Sequence, residues 1–136
     1  MGTRMLIVED EFTSRKILGR FLNGYGDVDV AVDGKEALAA LSDARDQNTP
    51  YDIVFLDLMM PGLSGHEVLQ EIRSDEAKRK VSKANAIKVV MTTASGDKRD
   101  VMRAFKAQIE AYLTKPVERE KVKETLDKLG YAAPAA

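Results

Sequence analysis

Cysteine is absent from these 136 residues, so disulfides and thiolate metal sites are excluded, and a reducing cytoplasm is the expected home. Histidine occurs once, as His66. One imidazole cannot build a metal site, and this one is expected to be exposed. Neither sign of charge is in excess. Against 22 acidic residues stand 21 basic ones, a formal net charge of -1, which gives no global nucleic-acid or membrane footprint. No apolar run is long. The first begins at Met5 and is polar again by Glu9, too short for a signal peptide or a membrane span. Gly2 does not open a myristoylation signal, because Leu6 stands where Ser or Thr is needed. A Gly-rich phosphate loop is also missing, since Gly34-Lys35 is followed by Glu36.

What is present is globular composition, 44% hydrophobic and 32% charged. A chain of this length buries about 68% of the surface of its unfolded form, so one ordinary core suffices. Residues 1–136 read as one domain with its core over about 5–129. Four short runs are almost wholly apolar: Met5 to Val8, Ile53 to Leu56, Ile87 to Met91 and Ala111 to Leu113. Such runs suit strands buried on both faces. A fifth segment alternates, with Val28, Val30 and Val32 interleaved by Asp27, Asp29 and Ala31, the pattern of an edge strand with one wet face.

Helical spacing fills the gaps. The stripes are Ile17, Leu18, Phe21, Leu22 and Tyr25; then Ala37, Leu38 and Leu41; then Val68, Leu69 and Ile72; then Val101, Met102 and Phe105; then Val122, Leu126 and Leu129. Gly24 and Gly26 are expected to end the first helix and Gly130 the last. The charged stretch Ser74 to Ala86 reads as a solvated surface segment, and the Ala-rich tail Tyr131 to Ala136 is expected to fray. Strand and helix thus alternate five times. This predicts an α/β fold, a doubly wound parallel sheet with helices on both faces. In such sheets the functional crevice lies at the carboxyl ends of the strands.

Those ends carry chemistry. The first strand runs into Glu9-Asp10-Glu11, the third into Asp57, the fourth into Thr92-Thr93-Ala94-Ser95 and the last into Thr114-Lys115-Pro116. A doubly wound sheet sets the first and third strands side by side, which gathers Glu9, Asp10 and Asp57. Two carboxylates 4 Å apart cost about 4 kcal/mol at an effective dielectric of 20, so either one is protonated or a cation lies between them. Oxygen ligands without His or Cys favour Mg2+. Lys115 adds a positive charge and Thr93 a hydroxyl. One carboxylate nucleophile, one cation, one Lys and one hydroxyl make a phosphoryl-transfer site that works by positioning and charge neutralisation. Each residue alone is more simply a helix cap or a surface charge. The signal is their joint placement at the ends of four strands.

With these motifs in order, Val8-Glu9-Asp10-Glu11, Asp57 to Gly65, Thr93-Ala94 and Tyr112 to Pro116, the chain resembles the receiver domains of bacterial response regulators, the single-domain CheY-like members in particular. The resemblance runs from about Met5 to Leu129. It implies a flavodoxin-like sheet of five strands in the order 2-1-3-4-5 with five helices. It implies that Asp57 is the phosphoacceptor and Asp10 a direct Mg2+ ligand, with Glu9 acting through water and the Met59 backbone carbonyl as a further ligand. Lys115 would pair with phosphate and Thr93 would move toward it. Tyr112 would be the aromatic switch, Pro61 and Gly62 would shape the loop past the acceptor, and the Lys115–Pro116 bond would be cis. The implied partners are a sensor histidine kinase or a phosphotransfer protein upstream. Downstream, a protein target would bind the face of helix four, strand five and helix five, including Lys98, Arg103, Lys106 and Lys121. Near the path of a hydrolytic water the resemblance puts Met59 and Ser95. Gln108-Ile109-Glu110 departs from the Gly-containing turn that many relatives carry before the last strand.

The same residues bear on three rival readings. An aspartate-nucleophile phosphatase of the haloacid dehalogenase type needs a second Asp two residues after the nucleophile, where Met59 stands. A DNA-binding regulator needs an output domain after Gly130, where six residues follow, so output is expected to be a separate protein and direct nucleic-acid binding is not expected. A phosphorylation-independent pseudo-receiver that only docks predicts the loss of a site residue, and none is lost. The expected activity is confined to transfer to and from Asp57, in a signalling module and not a dedicated enzyme.

Overall fold

A computed structural model describes residues 2–94, 98–106 and 108–131. Its elements follow in the order β1 (Thr3–Val8), α1 (Phe12–Leu22), β2 (Gly26–Ala31), α2 (Gly34–Asp46), β3 (Ile53–Asp57), α3 (Gly65–Lys78), a 3-10 turn (Lys83–Asn85), β4 (Lys88–Thr93), α4 (Lys98–Lys106), β5 (Ala111–Thr114) and α5 (Arg119–Lys128). The sheet is wholly parallel in the order β2-β1-β3-β4-β5.

Period-two alternation in the central strands splits the core between the two faces of the sheet. Leu6, Val8, Val54, Leu56, Val89 and Met91 turn to one side and pack on Ala37, Leu41, Val68, Leu69 and Ile72 from α2 and α3. Met5, Ile7, Ile53, Phe55 and Val90 turn to the other and pack on Leu18, Leu22, Val122 and Leu126 from α1 and α5. Caps fix the helix entrances. Asp33 accepts the Glu36 amide at 2.8 Å, and Ser64 and Glu67 form a reciprocal capping box in front of α3.

Several expectations change. The run Ala111 to Leu113 is not buried on both faces, because β5 closes an edge and only Leu113 is buried there. The first helix ends at Leu22. Gly24, at φ +92°, turns the chain and Gly26 opens β2, where any β-carbon would stand 2.1 Å from the Thr3 carbonyl oxygen. The apolar stripe of α4 stays outside. Met102 and Phe105 are exposed, and Ala104 is the helix's residue in the core.

The stretch Ser74 to Ala86 is not all solvated surface. Its first part completes α3, and Glu76 is buried, accepting the Ile87 amide at 2.6 Å and pairing with Arg73 at 2.8 Å and Arg45 at 3.4 Å. In the turn before β5, Gln108 takes φ +72°, the left-handed conformation a Gly would adopt easily, and the Arg73 guanidinium donates twice to its carbonyl, at 3.1 and 2.7 Å. Tyr131 packs on the α1/α5 side of the core, while the rest of the expected fraying tail, residues 132–136, lies outside the described residues.

Candidate functional site

Parallel pairing brings four strand ends to one rim. The ladder between β1 and β2 runs one residue beyond Val8, with the Glu9 amide on the Ala31 carbonyl at 3.1 Å. Asp57 is the last residue of β3, and the next amide, of Leu58, bonds the Thr92 carbonyl at 2.8 Å. Lys115 follows β5 with its amide on the Thr93 carbonyl at 2.7 Å. Glu9, Asp57, Thr93 and Lys115 therefore sit where the backbone itself is ordered by the sheet, and Asp10 follows one residue beyond it. The Lys115–Pro116 bond is cis.

Beyond Asp57 the chain loops out through exposed Pro61 and through Gly62, whose φ of +77° suits glycine, and returns at Gly65. The Gly65 amide bonds the Leu58 carbonyl at 2.9 Å. Its missing side chain is what permits the return, since a β-carbon there would lie 2.5 Å from the Asp57 carbonyl oxygen and 2.7 Å from Cα of Leu58.

Glu9, Asp10 and Asp57 each offer a carboxylate oxygen within 4.8 Å of the other two. Glu9 and Asp57 are buried and Asp10 is exposed, so the group opens to solvent on one side. The Nζ of Lys115 donates to Oε1 of Glu9 in a short contact and stands 3.4 Å from Oδ2 of Asp57. The Met59 amide donates to Oδ1 of Asp57 at 3.2 Å.

Burial, and then the neighbouring Glu9, push the Asp57 carboxyl up to about 7. Burial works upward on Glu9 too, but its hydrogen bond with Asp57 and the Lys115 ammonium outweigh it and hold Glu9 below the usual carboxylate range. Burial opposes the charge on Lys115 and is outweighed by the bond to Glu9 and the field of Asp57. Without a cation, Asp57 is thus the member of the buried pair that more readily takes a proton.

The residues fit a hard divalent cation. Three carboxylates face a single ammonium, every side-chain ligand in the cluster is oxygen, and the open Asp10 side leaves room for water. His66 stands apart from it. Contrary to its expected exposure, its side chain is only 10% exposed at the start of α3, with Nε2 3.9 Å from Oδ1 of Asp100. Burial and Arg103 together keep its pKa low.

The other residues singled out from sequence spread around this centre. Thr93 is 1% exposed. Tyr112 faces outward on β5, 44% exposed, its ring edge-on to Phe105 with centroids 5.9 Å apart. Met59 is 66% exposed. Arg103, Lys106 and Lys121 are exposed as expected, whereas Ser95 and the side chain of Lys98 lie outside the described residues. Sequence reasoning missed Arg15, which donates to the backbone carbonyls of both Glu9 and Asp10. The available signal was a basic residue one turn into the helix that follows the acidic pair.

A doubly wound α/β sheet with a carboxylate cluster and an opposed Lys at its carboxyl rim defines a class of small phosphoryl-accepting switches. The chain belongs to the response regulator receiver domain family, which it matches over residues 5–127. It is 32% identical to the chemotaxis protein CheY1 of Helicobacter pylori over 126 residues, covering 91% of this chain and 94% of that protein. Among solved structures it resembles the receiver domain of the Saccharomyces cerevisiae response regulator Ssk1, co-crystallised with the phosphotransfer protein Ypd1. There the identity is 29% and the TM-score 0.80, over 95% of this chain and 89% of that one. It also resembles the receiver domain of the Arabidopsis thaliana histidine kinase CKI1 complexed with Mg2+ and BeF3-, at 25% identity and TM-score 0.75, over 92% and 90% of the two chains. The chain spans only 7% of a Dictyostelium discoideum hybrid histidine kinase and 12% of an Oryza sativa histidine kinase that it also matches. Among the described residues, no helix is long and apolar enough to cross a membrane.

Proposed function

We propose that residues 1–136 work in the cytoplasm as one receiver unit in which Asp57 accepts a phosphoryl group from a phosphohistidine of a sensor histidine kinase or phosphotransfer protein. The observation that carries this reading is the burial of Asp57 at the end of β3, with Lys115 Nζ 3.4 Å from Oδ2 and the carboxylates of Glu9 and Asp10 within 4.8 Å. In the transfer, an Asp57 oxygen attacks phosphorus, the nitrogen–phosphorus bond of the donor breaks, and the imidazole leaves and takes up a proton. Asp10, Asp57, the Met59 carbonyl and, through water, Glu9 would hold Mg2+, which when bound neutralises charge on the transferring phosphoryl oxygens. Lys115 pairs with the phosphoryl group once it leaves Glu9, and Thr93 bonds one of its oxygens. Hydrolysis of the aspartyl phosphate resets the site, so the chemistry is confined to Asp57.

Output follows by docking. The surface of α4, β5 and α5 carries Arg103, Lys106 and Lys121 around exposed Met102, Phe105 and Tyr112, which suits a protein partner with acidic and apolar contacts. A receiver that only docks has no need of a buried Asp57 facing an ammonium and two more carboxylates, so that reading is not favoured. Incubation with acetyl phosphate or beryllium fluoride should occupy Asp57 in the presence of Mg2+ and not in its absence, read by mass and by NMR. Equal labelling of wild type and Asp57→Ala would overturn the proposal. Lys115→Ala should still bind Mg2+ while responding weakly to beryllium fluoride.

A further inference from the structure

The acidic pair leaves β1 on a turn whose own local tie is one long bond, from the Glu11 amide to Oε2 of Glu9 at 3.5 Å. Glu11 occupies the N-cap position of α1 without any side-chain capping bond, and Asp10 is exposed. One residue inside α1 reaches back across this turn. Nη1 of Arg15 donates to the carbonyl oxygen of Glu9 at 3.0 Å and to that of Asp10 at 3.0 Å. The guanidinium is itself steadied by the Phe12 ring, 5.6 Å from its centroid, and the Arg15 amide is anchored in the helix on the Glu11 carbonyl at 3.1 Å.

The two carbonyls belong to the peptide planes on either side of the Asp10 Cα. A peptide plane has no internal freedom, so the direction of its carbonyl sets the direction of the whole unit. Fixing both planes fixes φ and ψ of Asp10 and with them the vector along which its side chain leaves the backbone. Glu9 needs no such help, since its amide is on the β2 ladder and its carboxylate is held by Lys115. Asp10 is the member of the cluster with no sheet bond of its own to direct it.

We infer that Arg15 is a positioning residue that aims the Asp10 carboxylate into the cation site by clamping the two carbonyls around it. The inference rests on the reading of Glu9, Asp10 and Asp57 as a Mg2+ site. Two effects of opposite sign meet at Arg15. Ordering one residue's backbone ahead of binding is worth on the order of tenfold in affinity. Repulsion between the guanidinium and the cation, across a solvated turn at physiological salt, costs roughly twofold. Positioning wins, and removing the side chain weakens binding by about fivefold.

The test is a Mg2+ titration of the full 15N-labelled chain by NMR, with wild type, Arg15→Ala and Arg15→Lys side by side, and amide hydrogen exchange of the same metal-free proteins. Arg15→Ala should bind Mg2+ about fivefold more weakly, and its Asp10 and Glu11 amides should exchange faster while those of Leu6 to Val8 do not change. Arg15→Lys keeps the charge and can restore one carbonyl bond, so it should fall between the two. An unchanged or tighter Mg2+ constant in Arg15→Ala overturns the inference, since a tighter one means that charge repulsion governs. Exchange accelerated uniformly through β1 also overturns it, because Arg15 would then serve stability alone. If wild type binds no Mg2+, the reading of the site fails. Unaltered exchange at Asp10 and Glu11 separately removes the clamp.

Discussion

Gly65 lies so close beneath the end of β3 that a β-carbon on it would stand 2.5 Å from the carbonyl oxygen of Asp57. The neighbour is backbone, not the flexible end of a side chain, so it cannot step aside without moving β3 or the loop that returns from Asp57. Gly65→Ala should therefore destabilise the protein by about 1–3 kcal/mol, the range of a steric clash in a packed interior. Because the strain falls on Asp57 itself, the variant should respond less to beryllium fluoride even at temperatures where it stays folded. Urea unfolding beside a beryllium fluoride titration reads both. A Gly65→Ala protein of wild-type stability would show that the loop has slack.

The proton held on Asp57 gives the metal-free protein a pH dependence of definite sign. Burial and then Glu9 raise this carboxyl to about 7 in the folded state, against an ordinary value of 3.8. A carboxyl raised on folding contributes stability that is fully present below its unfolded pKa and is lost as the pH rises through its folded pKa. Metal-free wild type should thus lose stability between pH 5 and pH 8, and Asp57→Asn, which cannot ionise, should not. Allowing for relaxation and water around the pair, the stability of the variant relative to wild type should rise by on the order of 2 kcal/mol from pH 5 to pH 8. Glu9, whose pKa is lowered, acts in the opposite sense and below this window. Thermal melts in a chelator at the two pH values check it. Adding Mg2+ at pH 8 should stabilise wild type and leave Asp57→Asn nearly unmoved. A variant whose stability relative to wild type does not rise from pH 5 to pH 8 would contradict the raised Asp57 carboxyl.

Much of this is legible in the sequence, and what is legible there follows from chain periodicity. Met5 to Val8 and Ile53 to Leu56 read as strands buried on both faces because a central parallel strand meets helices on both sides. The acidic site was legible for the same reason, since the residues after those strands have to share a rim. Beyond Arg15 and His66, three elements of the fold show what escaped. Ala111 to Leu113 looks like a central strand, but a three-residue run cannot tell an edge from a centre, and Tyr112 faces outward there. The stripe of Val101, Met102 and Phe105 has helical spacing, yet spacing cannot say that a surface will be left uncovered. Glu76 reads as one more charge in a polar stretch. Its burial depends on Arg45 and Arg73 and on the Ile87 amide, partners scattered over forty residues of chain that no local pattern joins.

Tyr112 and Phe105 define the outward state of the proposed switch. Their rings meet edge-on at 5.9 Å, a contact worth about 0.5–1.5 kcal/mol. Removing Phe105 takes that support from the outward position alone and should tilt the balance inward by roughly twofold to tenfold. Phe105→Ala should therefore respond to beryllium fluoride at a correspondingly lower concentration. In wild type the Tyr112 ring signals and its contacts to Phe105 should change on activation. NMR shifts confined to the loops around Asp57, with Tyr112 unmoved, would break the proposed link between site and surface.

Met59 sets the last expectation, the lifetime of the phosphorylated state. Its amide is tied to Oδ1 of Asp57 at 3.2 Å, so its backbone is part of the site, while its side chain is two-thirds exposed. Loss of the phosphoryl group requires a water in line with phosphorus, opposite the Asp57 oxygen, and by resemblance the side chain two positions past the acceptor stands near that path. A thioether is a weak acceptor and no donor, so Met59 cannot hold such a water in place. An amide at the same position offers both a donor and an acceptor. One positioned hydrogen bond is worth 0.5–1.5 kcal/mol, so Met59→Asn should shorten the lifetime by about twofold to tenfold. The measurement is a decay course after loading with acetyl phosphate and removing the donor, in excess Mg2+, for wild type and variant together. Unchanged or slower decay in Met59→Asn would mean that the exposed thioether touches nothing on the path of the water.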